Sequence, residues 1–372
     1  MKFRYRLIFF ALGIGGIVLM AWQNNWFMDT DWGTLFSPRI LGLLAAIIAV
    51  WIVIYFLHAF SYKLILCEDS KKVKLHSMMR ICAAGFALNN VTPAGLVGGE
   101  PYRIMALKRY VSVERAASST LTFSILYAIG HFMLWITGIV LFAVYMIFGF
   151  GYDAPSWVII LLSVSGGVLF LLVLGFFIFK KIGFAYPTMR FLAKIPLVRR
   201  KLKPYVEKHK DSYVEIDDNI RAFRAKTWRF ISVVALQYST RLLEALEYFL
   251  ILYYFVPASV SVNFFDGLLI MSTASLMGNL LFFIPMQAGS RELGTSMALD
   301  IVIGTAGREA VLAPLGIVYR FRELIFIVVG IVLVLLGRKY KKNSNNNPPI
   351  IEVDNVKEDS SPIIEEQESK NN

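Results

Sequence analysis

The stretch NNVTPAGLVGGEPYR, residues 89–103, sits in a chain that is 57% hydrophobic and only 17% charged. An average soluble domain carries about 25% charge. Within fifteen residues this stretch packs two prolines, three glycines, two asparagines, an acid and a base. The runs on either side are long and apolar, and several reach the roughly 18 residues needed to cross ~30 Å of hydrocarbon. Short alternating segments, the mark of a membrane barrel, are absent. The chain therefore reads as an all-α polytopic membrane protein, and residues 89–103 are where one membrane segment is broken.

The basic residues fix which way the runs point, because short cytoplasmic loops collect Lys and Arg. Lys2, Arg4 and Arg6 precede a first run at about 7–22, so the N-terminus is expected in the cytoplasm. That run is too long for a cleaved signal and lacks a small-residue exit. The next loop, with Trp26, Asp29, Asp31 and Trp32, suits the outer face. The run 40–66 returns inward to Lys71, Lys72, Lys74 and Arg80. Residues 81–99 are then bracketed by bases on both sides, with Lys108, Arg109 and Arg115 following. A full crossing would strand one cluster outside, so this segment is expected to dip in and come back. The run 116–149 goes out as a single span, and 157–179 comes in. Residues 180–229 form a basic, partly helical cytoplasmic loop, 230–256 goes out, and 309–336 comes in to Arg338, Lys339, Lys341 and Lys342. Residues 267–300 have both ends outside and form a second dip from the opposite face.

The sum is about six spanning helices plus two re-entrant broken-helix segments in an inverted repeat: residues 1–150, residues 151–342, and a disordered acidic tail at 343–372. Inverted repeats of this kind place a substrate site at the membrane midplane, on broken helices. The second break reads PMQAGSRE, Pro285 to Glu292, against PAGLVGGE, Pro93 to Glu100. Proline ends an inward helix, glycine permits non-helical backbone, and freed polar groups are tolerated at depth only against protein or a polar cavity.

Candidate substrate-binding residues follow from these breaks: Asn89, Asn90, Pro93, Gly98, Gly99, Glu100 and Arg103 in the first; Pro285, Gly289, Arg291 and Glu292 in the second. A helix restarting at Glu100-Pro101 would offer free N–H groups to an anion. In the last span Arg320 lies ~16 Å in by helical rise, where it needs a partner; Glu323 is one turn on, and both join the candidate set. Arg322 points elsewhere and needs a polar environment of its own. Arg241 and Glu244 can pair on one face, which leaves Glu247 seeking another partner. His131 and Glu244 are candidates for proton coupling, with a plain hydrogen bond to a neighbouring helix as the other reading of His131. His58 is expected at the interface. The four histidines are scattered, and Cys67 and Cys82 have no metal or disulfide spacing, so no cofactor or metal is expected.

With PxxxxGGEPxR in its first half and PxxxGxRE in its second, the chain resembles the transmembrane flippase-like region of lysylphosphatidylglycerol synthases. The similarity runs over about 1–340. Family members more often show PGGxGxRE in the second motif. The resemblance implies a multi-pass protein of a bacterial or archaeal cytoplasmic membrane that moves lipids between leaflets. It does not imply aminoacyl transfer, which belongs to a separate soluble domain. The expected function is transport of an anionic phospholipid or lipid-linked headgroup, without catalysis. The expected partners are membrane phospholipids and no nucleic acid; a homo-oligomer and a lipid-synthesising enzyme partner stay open. The alternatives are a membrane-embedded lipid-modifying transferase and a non-transporting scaffold for such an enzyme.

Overall fold

The computed structural model describes residues 37–91, 99–147, 185–192, 206–280 and 289–346, with a few single positions between them. The expected spans at 7–22 and 157–179, the tail beyond Asn346, and Pro93, Gly98 and Pro285 lie outside the described residues. Every regular element among the described residues is helical. Among the described residues nine helices run in order: α1 Pro38–Leu66, α2 Leu75–Val91, α3 Gly99–Leu107, α4 Val113–Ile147, α5 Ala185–Leu192, α6 Lys210–Ala225, α7 Thr227–Phe255, α8 Phe264–Leu280 and α9 Ser290–Asn346. The described residues up to Leu333 form one compact body, and those from Val334 to Asn346 belong to a separate unit.

The termini of α1 show why the helices stop where they do. Ser37 accepts a hydrogen bond from the Ile40 amide at 3.4 Å, and Pro38 opens the first turn, as N-terminal capping favours. At the other end Cys67 turns to φ 53°. There the Arg115 guanidinium, from the first turn of α4, donates to the carbonyls of Ile65 and Leu66 at 3.4 and 2.9 Å. These last carbonyls of a helix lack intrahelical partners.

α2 and α3 are the two arms of a hairpin. Asn89 in α2 accepts from the Gly99 amide at 2.7 Å, and a Cβ on Gly99 would lie 2.3 Å from the Gly85 carbonyl oxygen. Only glycine lets the arms approach this closely. α8 and the start of α9 repeat the arrangement, for a Cβ on Gly294 would meet the Thr273 carbonyl at 2.7 Å. α9 then turns back on itself. Glu292 and Arg320 would be ~42 Å apart on a straight helix, yet they touch at 2.6 Å. The reversal sits at Gly304, with φ 72° and ψ 172°, a region open essentially to glycine alone.

α1 and α7 run antiparallel: Trp51 bonds Glu247, while Lys226, just before α7, reaches Glu68, just after α1. α4 runs alongside α7, with Gly130 against Gln237 and Thr137 bonded to Tyr238. α6 ties the basic loop to the start of α4 through Arg115–Asn219 and Ser212–Glu114. Ile52, Val53, Phe56 and Phe60 on α1, Ile136 and Val140 on α4, and Val328, Val329 and Val332 on α9 all face outward. Apolar bands of this extent suit lipid. Among the described residues α1, with its 3-10 extension to Lys72, and α4 are each long and apolar enough to cross a membrane.

The buried apolar side chains form two cores. One joins Ile40, Leu43 and Ile47 of α1 to Ile251 and Leu252 of α7, α8 and Val311–Tyr319 of α9. The other joins Ala59, Tyr62 and Leu66 of α1 to α2, α3, the first half of α4 and Val233 of α7. On α1 the residues between the two cores, Trp51 to His58, are those that turn to a shared polar space.

Candidate functional site

That space is a cavity of about 500 Å³. Each helix contributes one inner face at helical spacing. α1 gives Trp51, Tyr55 and His58; α7 gives Arg241, Glu244, Glu247 and Tyr248; α4 gives Ser124, Tyr127, Ala128, His131 and Trp135. The first hairpin adds Asn89, Asn90, Glu100 and Arg103; the second adds Ser275, Asn279 and Arg291; the later arm of α9 adds Tyr319, Arg322, Glu323 and Phe326.

Three of the charged clusters are held by bonds of 2.6–3.2 Å. Arg322 binds Glu247 through two parallel bonds at 2.9 and 3.1 Å, and Trp51 donates to the same carboxylate at 2.8 Å. The guanidinium lies between the rings of Trp51 and Tyr319, at 4.0 and 4.4 Å. This is the planar, stacked pairing to which arginine is suited. Arg320 donates to Glu292 at 2.6 and 2.9 Å and to Glu323 at 2.8 Å. Arg241 donates to Glu244 at 2.8 Å and to His131 Nε2 at 3.2 Å. Because arginine only donates, Nε2 must accept. His131 is therefore neutral, with its proton on Nδ1, donated to the Tyr127 carbonyl at 3.1 Å.

The fourth cluster is loose. Glu100 Oε1 accepts from Asn89 at 3.3 Å, from Arg103 at 3.4 Å and from Ser124 at 3.4 Å. Charge-assisted bonds normally close to about 2.7–2.9 Å. Arg103 is 1% exposed, stacked 4.5 Å over Phe86, and its Nε and Nη2 have no partner. Arg241 Nε and Arg291 Nε are also unpartnered. Four Arg and four Glu line the cavity, so the formal charges balance. The spare hydrogen-bonding capacity is nevertheless mostly donor, which favours an anion.

The profile of the family described as lysylphosphatidylglycerol synthase TM region matches residues 8–330. The chain belongs to this family. No curated protein and no solved structure matches it. As a member of the lysylphosphatidylglycerol synthase TM region family, the chain is a helical membrane protein related to lipid modification and lipid flipping. The matched span contains both hairpins and every residue lining the cavity.

Of the residues singled out in the sequence, Asn89, Asn90, Glu100, Arg103, Arg291, Glu323, His131 and Glu244 meet at the cavity. Gly99 supplies the close contact between the arms of the first hairpin. Gly289 (φ 81°) and Glu292 cap the start of α9, the glycine amide donating to Glu292 at 2.8 Å. Arg320 and Glu292 sit beside the cavity rather than on its wall, the arginine buried and the glutamate part-exposed. His58 corrects the interfacial expectation: it is 2% exposed, packed among Phe86, Phe123 and Tyr127, and part of the lining. Its helix enters one core with Ala59 and Tyr62, so the lysine five residues on, Lys63, marks the helix end and not the depth of His58. The aromatic wall of Trp51, Tyr55, Tyr127 and Tyr319 carries no motif. Only the 51–55–58 and 319–322–326 spacings, each on one helical face, could have pointed to it.

Proposed function

We propose that this chain is a lipid transporter that carries the anionic headgroup of a phospholipid or lipid-linked molecule between leaflets through the central cavity, while the acyl chains stay in lipid. The observation that carries this reading is the position of the cavity. A charged, aromatic-lined space of about 500 Å³ sits between two apolar cores, where a headgroup would need polar company halfway across hydrocarbon.

The proposal includes an inverted repeat of about six spans and two re-entrant hairpins, with both termini cytoplasmic. Its support is the matching of lengths. α1 and α7 are both 29 residues, α2 and α8 both 17, and the starts at 38 and 227 and at 75 and 264 are each separated by 189 residues. In that register Phe86 pairs with Ser275 and Asn90 with Asn279, and all four line the cavity. Rocking one repeat against the other would expose the cavity to each side in turn. His131 and Glu244 are the residues through which a proton could couple to this motion, and a proton reaching His131 Nε2 requires Arg241 to let go. Catalysis forms no part of the proposal.

The test is transbilayer movement of fluorescent anionic lipid in proteoliposomes. Movement well above that in protein-free liposomes is the predicted result. Rates equal to protein-free liposomes, for anionic and zwitterionic lipids alike, would sink the transport reading.

A further inference from the structure

The two hairpins hold equivalent glutamates in different ways. Glu292 is locked: Arg320 grips it at 2.6 and 2.9 Å, and the Gly289 amide adds a third bond at 2.8 Å. Glu100 rests in three contacts of 3.3–3.4 Å, and its Oε2 is buried without a partner. The sequence shows why. Glu292 follows Glu100 by 192 residues. The residue 192 places before Arg320 is position 128, an alanine. Ala128 lines the cavity. The first half therefore has no arginine where the second half keeps its lock.

We infer that Glu100 is a displaceable stand-in for the phosphate of the transported headgroup. This deepens the transport reading and rests on it. The donors around Glu100 Oε1 come from three elements: the Asn89 amide from α2, the Arg103 guanidinium from α3 and the Ser124 hydroxyl from α4. Together they form a cradle for one anionic oxygen. The carboxylate fills it loosely, and two guanidinium nitrogens of Arg103 stay unsatisfied inside a side chain that is 1% exposed. A phosphate has more acceptor oxygens than a carboxylate and can engage the cradle and the spare Arg103 donors together. In the empty protein Glu100 keeps the buried arginine from standing uncompensated. When phosphate enters, Glu100 swings into the cavity toward the space beside Ala128. Gly85 makes the arrangement possible, since a Cβ there would lie 2.4 Å from Arg103 Nε.

The test is binding by the detergent-purified full chain, measured calorimetrically with dihexanoyl phosphatidylglycerol, dihexanoylglycerol and inorganic phosphate. Removing the competing carboxylate in Glu100→Gln is expected to tighten phosphatidylglycerol binding about tenfold, and Arg103→Gln to weaken it by about tenfold or more, the range for hydrogen bonds to charged groups. Ser124→Ala, a small change on the cavity wall, is expected to weaken it a few-fold and serves if the Arg103 variant does not fold. Inorganic phosphate bound as tightly as the lipid, with the same variant pattern, supports the cradle and makes the free ion its ligand. Phosphatidylglycerol binding that is unchanged or weaker in Glu100→Gln overturns the inference, as does equal binding of the phosphate-free lipid. Lipid movement by the wild-type chain with no Glu100→Gln effect on binding would remove this subsite and leave transport standing. The predicted binding pattern without lipid movement would do the reverse.

Discussion

At the level of single residues, the sequence identifies which charges need partners and the structure supplies them. Spacing on one helix makes Arg241 and Glu244 a pair, and they are one, at 2.8 Å. The sequence names no partner for Glu247, because Arg322 lies 75 positions away and no local pattern brings two helices together. The resulting pair is buried on both sides, 4% and 1% exposed. Breaking a buried pair leaves one uncompensated charge, at a cost of about 3–5 kcal/mol. Glu247→Gln is expected to lose stability of this order in denaturant unfolding of the detergent-solubilised protein, and Glu247→Leu with Arg322→Met together to recover most of it. A double variant as unstable as the single one would mean that the ion pair is not what Glu247 contributes. The breaks at Asn89 and Glu100 were legible because prolines and glycines signal conformations that helices forbid. The looseness of Glu100 was not, because it depends on distances to donors brought together from three separate helices.

At the level of elements, the charge clusters bracket the helices closely. Runs expected at 40–66, 116–149 and 230–256 are helices at Pro38–Leu66, Val113–Ile147 and Thr227–Phe255. Bases flank one end of each run, and Lys72, Lys108 and Lys226 among them are exposed and mark that boundary. The reversal at Gly304 was less visible, since the hairpin and the following helix share one continuous helical pattern with a single glycine in a conformation closed to other residues. The two-hairpin proposal has a direct consequence for labelling. With Cys67 and Cys82 replaced by serine, single cysteines at Lys74 and Arg109 are expected to react with an impermeant maleimide from the cytoplasmic side. Those at Ser261 and Thr305 are expected to react from the other side. All four positions are exposed. Reaction of the two flanks of either hairpin from opposite faces would mean that the segment crosses the membrane and that the repeat is not inverted.

At the level of the whole molecule, two apolar cores hold the helices together at either end and leave their middles to a polar chamber. Apolar composition alone shows that the chain is a membrane protein. It does not show that inner faces of α1, α4, α7 and α9 converge, because the lining residues are scattered from Trp51 to Phe326. Burying this many charges lowers stability relative to an apolar core, and function is the usual reason for intramembrane charges to persist. The claim that the chamber is the lipid path is tested most directly by filling it. Ala128→Trp places an indole in the cavity and replaces no charged residue. In proteoliposomes carrying equal amounts of folded protein, the variant is expected to move fluorescent anionic lipid at least about tenfold more slowly than wild type, a barrier increase of about 1.4 kcal/mol. Movement at the wild-type rate with the chamber filled would contradict the account.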